Sequence, residues 1–525
     1  MGTKNYDSAT DMITFSRASG GTALRKVSYG NELVTNGDFA SGTTGWTTTG
    51  TVIAGQLVLG LGADAKQTLV LVEGNVYRAT VDLIAVGGNP VIRVLGESTK
   101  KTQFTPTDDG TTGELIFRAG PLATGIQWVG DSNDTATIDN VSVKEVTFDQ
   151  ADGTLELFNH PANIPRIEYD ATGAVKGLLI EEARTNLLTY SNDFTDASWV
   201  KARTSALALD AIGPDGQANT AVTLVDNSAG GSGSVTLTEA GLTVSTSTVY
   251  TYSLFAKADQ LSWFNLGARS FTTPANSVAF FDLSSGSIGT VSAGLTANIE
   301  NVGGGWYRCS ITFTTDATDT VGDLRIELAD TDNDFFVDLD GTSSILIYGA
   351  QFELGSFPTS YIPTSGASAS RAADIATIPT SAFGFNSGAG TVVVEAQRFG
   401  TNNYPRSVMI DAGNENNSIG LGAWGTNTYL NGYIVSGGVV QAAIGTGSAG
   451  TSAFKNSLAY KENDFAASRD GLAVVTDTSG VVPTGLTTLR IGRNGDTPQY
   501  LNGHIKSIQY YPRRLSNAQL QELTT

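Results

Sequence analysis

NELVTNGDFASGTTGW at residues 31–46 returns as TNLLTYSNDFTDASW at residues 185–199, so Asp38-Phe39 and Asp193-Phe194 each precede a tryptophan by a short polar loop. The likeness continues downstream. VYRATV at 76–81 corresponds to VYTYSL at 249–254, both alternating apolar and polar residues after a turn, the pattern of half-buried antiparallel strands. TIDNVSVKEV at 137–146 and ILIYGAQFELG at 345–355 close the two copies on a similar strand. A duplicated unit of short alternating strands, covering about 31–147 and 185–363, predicts two successive jelly rolls, each a pair of packed sheets.

Composition agrees and adds a third unit. The chain has 525 residues, several times the roughly 100–200 of one domain. Its 61 glycines and only 16% charged residues suit many short strands joined by tight turns. After SGASASRAAD, within a linker at 364–374, alternation resumes in GTVVVEAQ at 390–397 and runs on in short strands, predicting a β-sandwich over 375–525. Its last stretch reads as a strand at 489–492, a longer strand over 500–511, and a terminal helix opened by a capping box of Ser516 and Gln519, with Ala518, Leu520 and Leu523 to dock it. The expected fold class is all-β.

Charge and cysteine content exclude several function classes. A net charge of −20 argues against a nucleic-acid groove, which needs clustered Lys and Arg. A single cysteine, Cys309, excludes an intramolecular disulfide and suits folding in a reducing cytoplasm, even for a protein that acts outside the cell. MGTKNYDSATDMITF at the start contains no signal-peptide core, and no run of about 18 apolar residues predicts membrane insertion.

The ends of the first copy, N-G-D-F before a tryptophan and I-D-N-V-S-V at the close, resemble carbohydrate-binding modules of the galactose-binding-like jelly-roll class. The C-terminal LRIGRNGDTPQYLNGHIKSIQYYPRRLSNAQL resembles concanavalin-like or laminin-G-like sandwiches. Three longer phrases, IPRIEYDATGAVKGLLIEEARTNLLTYS at 164–191, GGGWYRCSITFT at 303–314 and YGAQFELGSFPTSYIPTSGASASRAAD at 348–374, resemble tail or fibre proteins of tailed bacteriophages. In such proteins ITFSRASGGT, here at 13–22, runs on quickly to the PRIEYD phrase. The first jelly roll therefore reads as an insertion, with a leader at 1–30 and a connector at 148–184 brought together as a small collar.

The resemblance implies a structural virion protein, a fibre or spike. It would be folded in the host cytoplasm and exposed on the virion surface, binding host polysaccharide or lipopolysaccharide for adsorption. It further implies attachment to other virion proteins through the N-terminal region, and a homo-oligomer, trimeric by analogy with phage fibres. Two readings stand beside it: a decoration or baseplate subunit without sugar binding, and a polysaccharide depolymerase. No local motif marks a catalytic carboxylate pair, so the expectation is a non-enzyme needing no cofactor.

Candidate site residues follow from chemistry. His160 and His504 are too few for a triad or a multi-histidine metal centre. GLGADA at 60–65 mimics a dinucleotide fingerprint but opens no βαβ unit. Asp330, Asp332 and Asp334 mimic a calcium loop, yet Phe335 and Gly341 occupy positions that need glycine and a carboxylate. The carbohydrate-module resemblance implies a structural calcium at Asp139, set against the plain reading of a surface aspartate; copy two has Tyr348 there. Sugar recognition uses aromatic faces bordered by polar groups. Trp46 and Trp199, at the repeat's fixed position, are expected in the cores, which leaves Trp128, Trp263, Trp424, Tyr429 and Tyr433 as glycan-contact candidates, each weighed against burial. Arg490, Arg493, Lys506, Arg513 and Arg514 concentrate positive charge near the C-terminus; Arg493 and Lys506 are taken as contacts to an acidic glycan.

Overall fold

A computed structural model describes residues 12–104, 108, 110–400, 406–423, 429–448, 450–495 and 499–525. The chain is all-β: three two-sheet sandwiches follow one another, and among the described residues one short α-helix, Asn517–Leu523, lies after the last strand. That helix starts at Ser516, whose side chain accepts from Gln519 N while Gln519 reaches back to the Ser516 backbone, and its Leu520 is buried. Among the described residues no helix is long and apolar enough to cross a membrane.

The repeat holds at the level of single hydrogen bonds. Trp46 Nε1 donates to Asn36 O (3.0 Å) and Trp199 Nε1 to Tyr190 O (2.9 Å), each indole tilted against the phenylalanine that precedes its loop, Phe39 at 5.5 Å and Phe194 at 5.0 Å. The Tyr77 hydroxyl accepts from Val72 N (2.9 Å) and the Tyr250 hydroxyl from Ser245 N (2.8 Å), five residues upstream in both copies. The closing strands, Thr135–Phe148 and Ser344–Leu354, both carry a bulge with a left-handed residue, Asn140 at φ 48° and Gly349 at φ 61°. The N-G-D-F glycine has its own steric cause. A Cβ on Gly37 would lie 1.9 Å from Val141 O, whose residue donates its N–H back to Gly37 O at 2.9 Å.

In the first sandwich, a sheet ordered Thr111–Arg118, Val76–Gly87, Thr135–Phe148, Gly21–Glu32, Thr154–His160 faces a second that runs from Thr47–Thr48 to Glu97–Gln103. Leader and connector meet here, since Gly21–Glu32 and Thr154–His160 pair antiparallel. A further strand of each joins the terminal sandwich. Thr14–Ser16 pairs with Ile375–Pro379 at the edge of one sheet, and Val175–Ile180 with Gly503–Tyr511 in the other. The described parts of leader and connector thus pair with each other and also with the terminal sandwich. They stitch the first sandwich to the third.

The stitch is locked by a buried ion cluster that draws on the leader, the connector and the linker. Asp374 accepts from Arg17 Nη1 (3.1 Å) and Arg166 Nη2 (2.6 Å); Glu181 takes Arg166 Nη2 (2.9 Å) and lies 3.5 Å from Arg371 Nη2. All five side chains are buried. Burial alone would raise the Glu181 carboxyl, but Arg371 and Arg166 hold it well below the usual carboxylate range. Burial, and then repulsion from Arg166, bring the Arg17 guanidinium down to about 10. Each residue comes from one of four short phrases spread along the chain: SRAS, PRIEYD, LLIEEA and SRAAD.

The first and second sandwiches touch through Leu24, Leu157, Phe255, Trp306, Tyr348 and Tyr361, beside a polar group centred on Arg78. Arg78 meets Glu114 and the Tyr29 hydroxyl, which donates to Glu156 at 2.6 Å; Asp215 lies 3.5 Å from the Tyr348 hydroxyl. Burial raises all three carboxyls, Glu114, Glu156 and Asp215, although Glu114 keeps a third of its side chain exposed. A carboxyl with a raised folded pKa contributes stability that is complete below its unfolded pKa, about 4, and lost as the pH rises through the folded value. Lowering the pH from 7.5 to about 5 is therefore expected to raise the melting temperature of this junction, and Asp215→Asn to flatten that slope. Differential scanning calorimetry of both proteins across the window checks it; a wild-type melting temperature that falls with acidification would contradict the assignment.

Candidate functional site

The second sandwich turns one sheet outward toward the third. Along its strand Trp306–Thr314, Cys309, Ile311 and Phe313 enter the core, which leaves Arg308, Ser310 and Thr312 on the outer face. The partner strand Thr296–Gly303 sets Glu300, Asn298 and Thr296 directly opposite them. Gly303, Gly304 and Gly305 make the turn between these strands, all in the left-handed region that side chains resist. This ladder floors a cleft of about 530 Å³, walled by Glu168, Lys176 and Glu181 of the connector, Phe357 of the loop after Ser344–Leu354, and Gln397 and Phe399 of the third sandwich.

Two half-buried aromatic rings border the cleft. Phe357 and Phe399 lie 5.9 Å apart at 57°; the Arg184 guanidinium sits 5.2 Å from the first ring and His504 edge-on to the second at 5.1 Å. The loop that carries Phe357 is pinned by the ion cluster, because Glu181 accepts from Ser360 N (2.8 Å) and Oγ (2.7 Å). Ionic contacts order the rim. Lys176 Nζ meets Glu300 at 2.7 Å and Glu168 at 3.7 Å, and His504 Nε2 lies 2.5 Å from Glu168. Burial would raise the Glu168 carboxyl, yet Lys176 and His504 bring it down to about 2. The arrangement offers amide, hydroxyl and guanidinium groups beside aromatic faces, the chemistry of sugar binding.

The residues singled out from sequence are not brought together in this cleft. Trp128 is 4% exposed and stacks on Phe104 at 5.4 Å in the first core; it shares its strand face with buried Ile126, so it cannot present a sugar platform. Trp263 is half-buried on the opposite sheet of the second sandwich, against Val278, Phe280 and Phe335. Tyr433 is 8% exposed. Trp424 lies outside the described residues, as does the side chain of Tyr429, whose backbone belongs to Tyr429–Ser436.

The basic cluster is largely spent within the fold. Arg493 is buried, donating to Asn494 O (3.0 Å) with its guanidinium 5.5 Å from the Tyr500 ring. Lys506 keeps 54% of its side chain exposed and pairs with Glu395 at 3.0 Å. Arg490 pairs with Asp411 and Arg514 with Asp464.

Asp139 faces Asp82 across the ladder, and its carboxylate accepts the N–H of Asn140 (2.8 Å). Among the described residues no group of three His, Cys, Asp or Glu side chains is placed to hold a metal ion.

Sequence reasoning missed Arg308, Asn298, Phe357 and Phe399. Arg308 had a readable signal: WYRCSITFT alternates, and an arginine on the polar side of an otherwise buried strand needs a reason. Phe357 and Phe399 sit in loops, where alternation says nothing.

Neither a protein-family model nor a curated protein matches the chain. Among solved structures, the CBM40 of the Ruminococcus gnavus IT-sialidase is similar at 15% identity over 26% of this chain and 83% of its own, TM-score 0.23. The CBM22-1–CBM22-2 tandem of Paenibacillus barcinonensis Xyn10C is similar at 12% identity over 63% of this chain and 99% of its own, TM-score 0.21. Domains LG4–5 of the mouse laminin α1 chain are similar at 10% identity over 54% and 88%, TM-score 0.20.

Proposed function

We propose that this chain is a non-catalytic glycan-binding protein that holds an oligosaccharide in the cleft between its second and third sandwiches. We further propose that it serves as a fibre or spike subunit by which a tailed phage adsorbs to host surface polysaccharide. The carrying observation is the polar ladder of Asn298, Ser310 and Arg308 beside the Phe357–Phe399 pair. The phage role draws its support from the phrases at 164–191, 303–314 and 348–374, which resemble fibre proteins.

Phe357→Ala and Phe399→Ala are each expected to weaken glycan binding about ten- to hundredfold, the loss of one apolar ring contact worth about 1.5–3 kcal/mol. Trp263→Ala, on the far sheet, should leave affinity unchanged. A glycan array with the full chain, followed by titration calorimetry on its hits, reads both, and polymer size after incubation should not fall.

The buried ion cluster favours a second reading, a decoration or baseplate subunit whose rigidity is its function. Absence of binding across the array would support that one.

A further inference from the structure

The floor of the cleft holds a guanidinium that forms no ion pair with any carboxylate of the described residues, although Glu353, Glu300, Glu181 and Glu168 act on it from a distance. Arg308 is 9% exposed; its Nη2 donates to Ser253 Oγ (3.0 Å), its guanidinium lies 5.2 Å from the Phe255 ring, and its Nε has no partner. The acidic groups around it are engaged elsewhere. Glu300 is held by Lys176 at 2.7 Å and Glu168 by His504 at 2.5 Å. Glu353 accepts from Thr359 N (2.8 Å), Thr359 Oγ1 (2.6 Å) and Gln351 Nε2 (2.6 Å), and Glu181 belongs to the arginine cluster. Burial accordingly lowers the pKa of Arg308.

A desolvated guanidinium without a directly paired carboxylate keeps unmet hydrogen-bonding capacity, and its fork matches a planar carboxylate better than any neutral group. Lys176, Arg308 and Arg398 line the cleft against Glu168, Glu181 and Glu300, so the local charge is balanced despite the −20 of the whole chain.

We propose that the cleft selects an acidic glycan, a hexuronic or nonulosonic acid whose carboxylate meets Arg308 while its ring lies against the Phe357–Phe399 pair. The inference rests on the glycan-binding reading and adds the chemical class of the sugar.

The test uses the full chain on an array that carries each acidic oligosaccharide, sialyllactose and oligogalacturonate among them, beside its carboxyl-reduced form. Calorimetry then measures the pairs that bind. Carboxyl reduction is expected to raise Kd at least about tenfold, the scale of one charge-assisted hydrogen bond. Arg308→Gln should erase the difference between the two forms, and Arg308→Lys should retain part of it. The comparison of acidic and reduced sugars on the unaltered protein stands even where Arg308→Gln fails to fold. Equal affinity for both forms overturns the acidic selectivity and leaves glycan binding intact; no binding to any sugar of either form overturns both.

Discussion

Asp374→Ala is expected to cost about 3–5 kcal/mol and to release the third sandwich from the first, because it removes one of the two carboxylates that pair with three buried arginines. Arg17 and Arg166 would lose contacts of 3.1 and 2.6 Å, and Glu181 alone would face both Arg166 and Arg371. Asp374 also accepts the N–H of Glu181 at 2.9 Å, so the backbone that places Glu181 loosens with it. Hydrogen exchange reads the effect locally. Protection should fall first in Thr14–Ser16 and its partner Ile375–Pro379, and in Val175–Ile180, while the second core, which contributes no residue to the cluster, keeps its protection. Adding Arg17→Met should restore part of the loss by removing an unanswered cation, a coupling that a double-mutant cycle measures directly. If Asp374→Ala moved the denaturation midpoint no more than a surface substitution does, the cluster would not be what holds the sandwiches together.

The cluster also shows where sequence reading stops. Its members announce themselves as unusual phrases, yet Arg17 and Asp374 are 357 positions apart and nothing in local periodicity pairs them. The same limit explains the collar. Gly21–Glu32 and Thr154–His160 do pair, but Thr14–Ser16 is three residues long, too short to carry a pattern that would reveal its partner in the terminal sandwich, and nothing local in Val175–Ile180 points to Gly503–Tyr511, 323 positions on from Ile180. By contrast, everything decided within a few residues was legible: the Phe39–Trp46 and Phe194–Trp199 corners, the closing strands of both copies, and the Ser516 capping box.

The site was legible only in part, for a related reason. Aromatic residue type suggests sugar binding, but exposure is a property of strand parity, and parity must be read from the neighbours. In GIQWV, Ile126 and Trp128 share a face, and both are buried; in WFNLGAR, Phe264 and Leu266 take the core face and leave Trp263 outside. Parity assigns those two tryptophans without a structure. It assigns neither Phe357 nor Phe399, whose meeting depends on how the second sandwich docks against the third.

Trp128→Ala therefore separates a core role from a binding role cleanly. The indole is 4% exposed, lies 5.4 Å from Phe104 with only 7° between the rings, and is enclosed by the first core with Ile92, Ile126 and Leu115. Deleting a buried tryptophan removes its transfer energy and leaves a cavity that a two-sheet core closes incompletely, so a loss of about 3–5 kcal/mol is expected. It should appear as faster exchange in Gly125–Val129 and its neighbours Asp64–Thr68 and Val91–Leu95, the strands that lean on the ring. Glycan affinity, measured below the transition, should stay at the wild-type value, since the cleft is built from the second and third sandwiches and the connector. The opposite pattern, lost affinity with unchanged exchange, would require an exposed Trp128 and would return the first sandwich to the binding site.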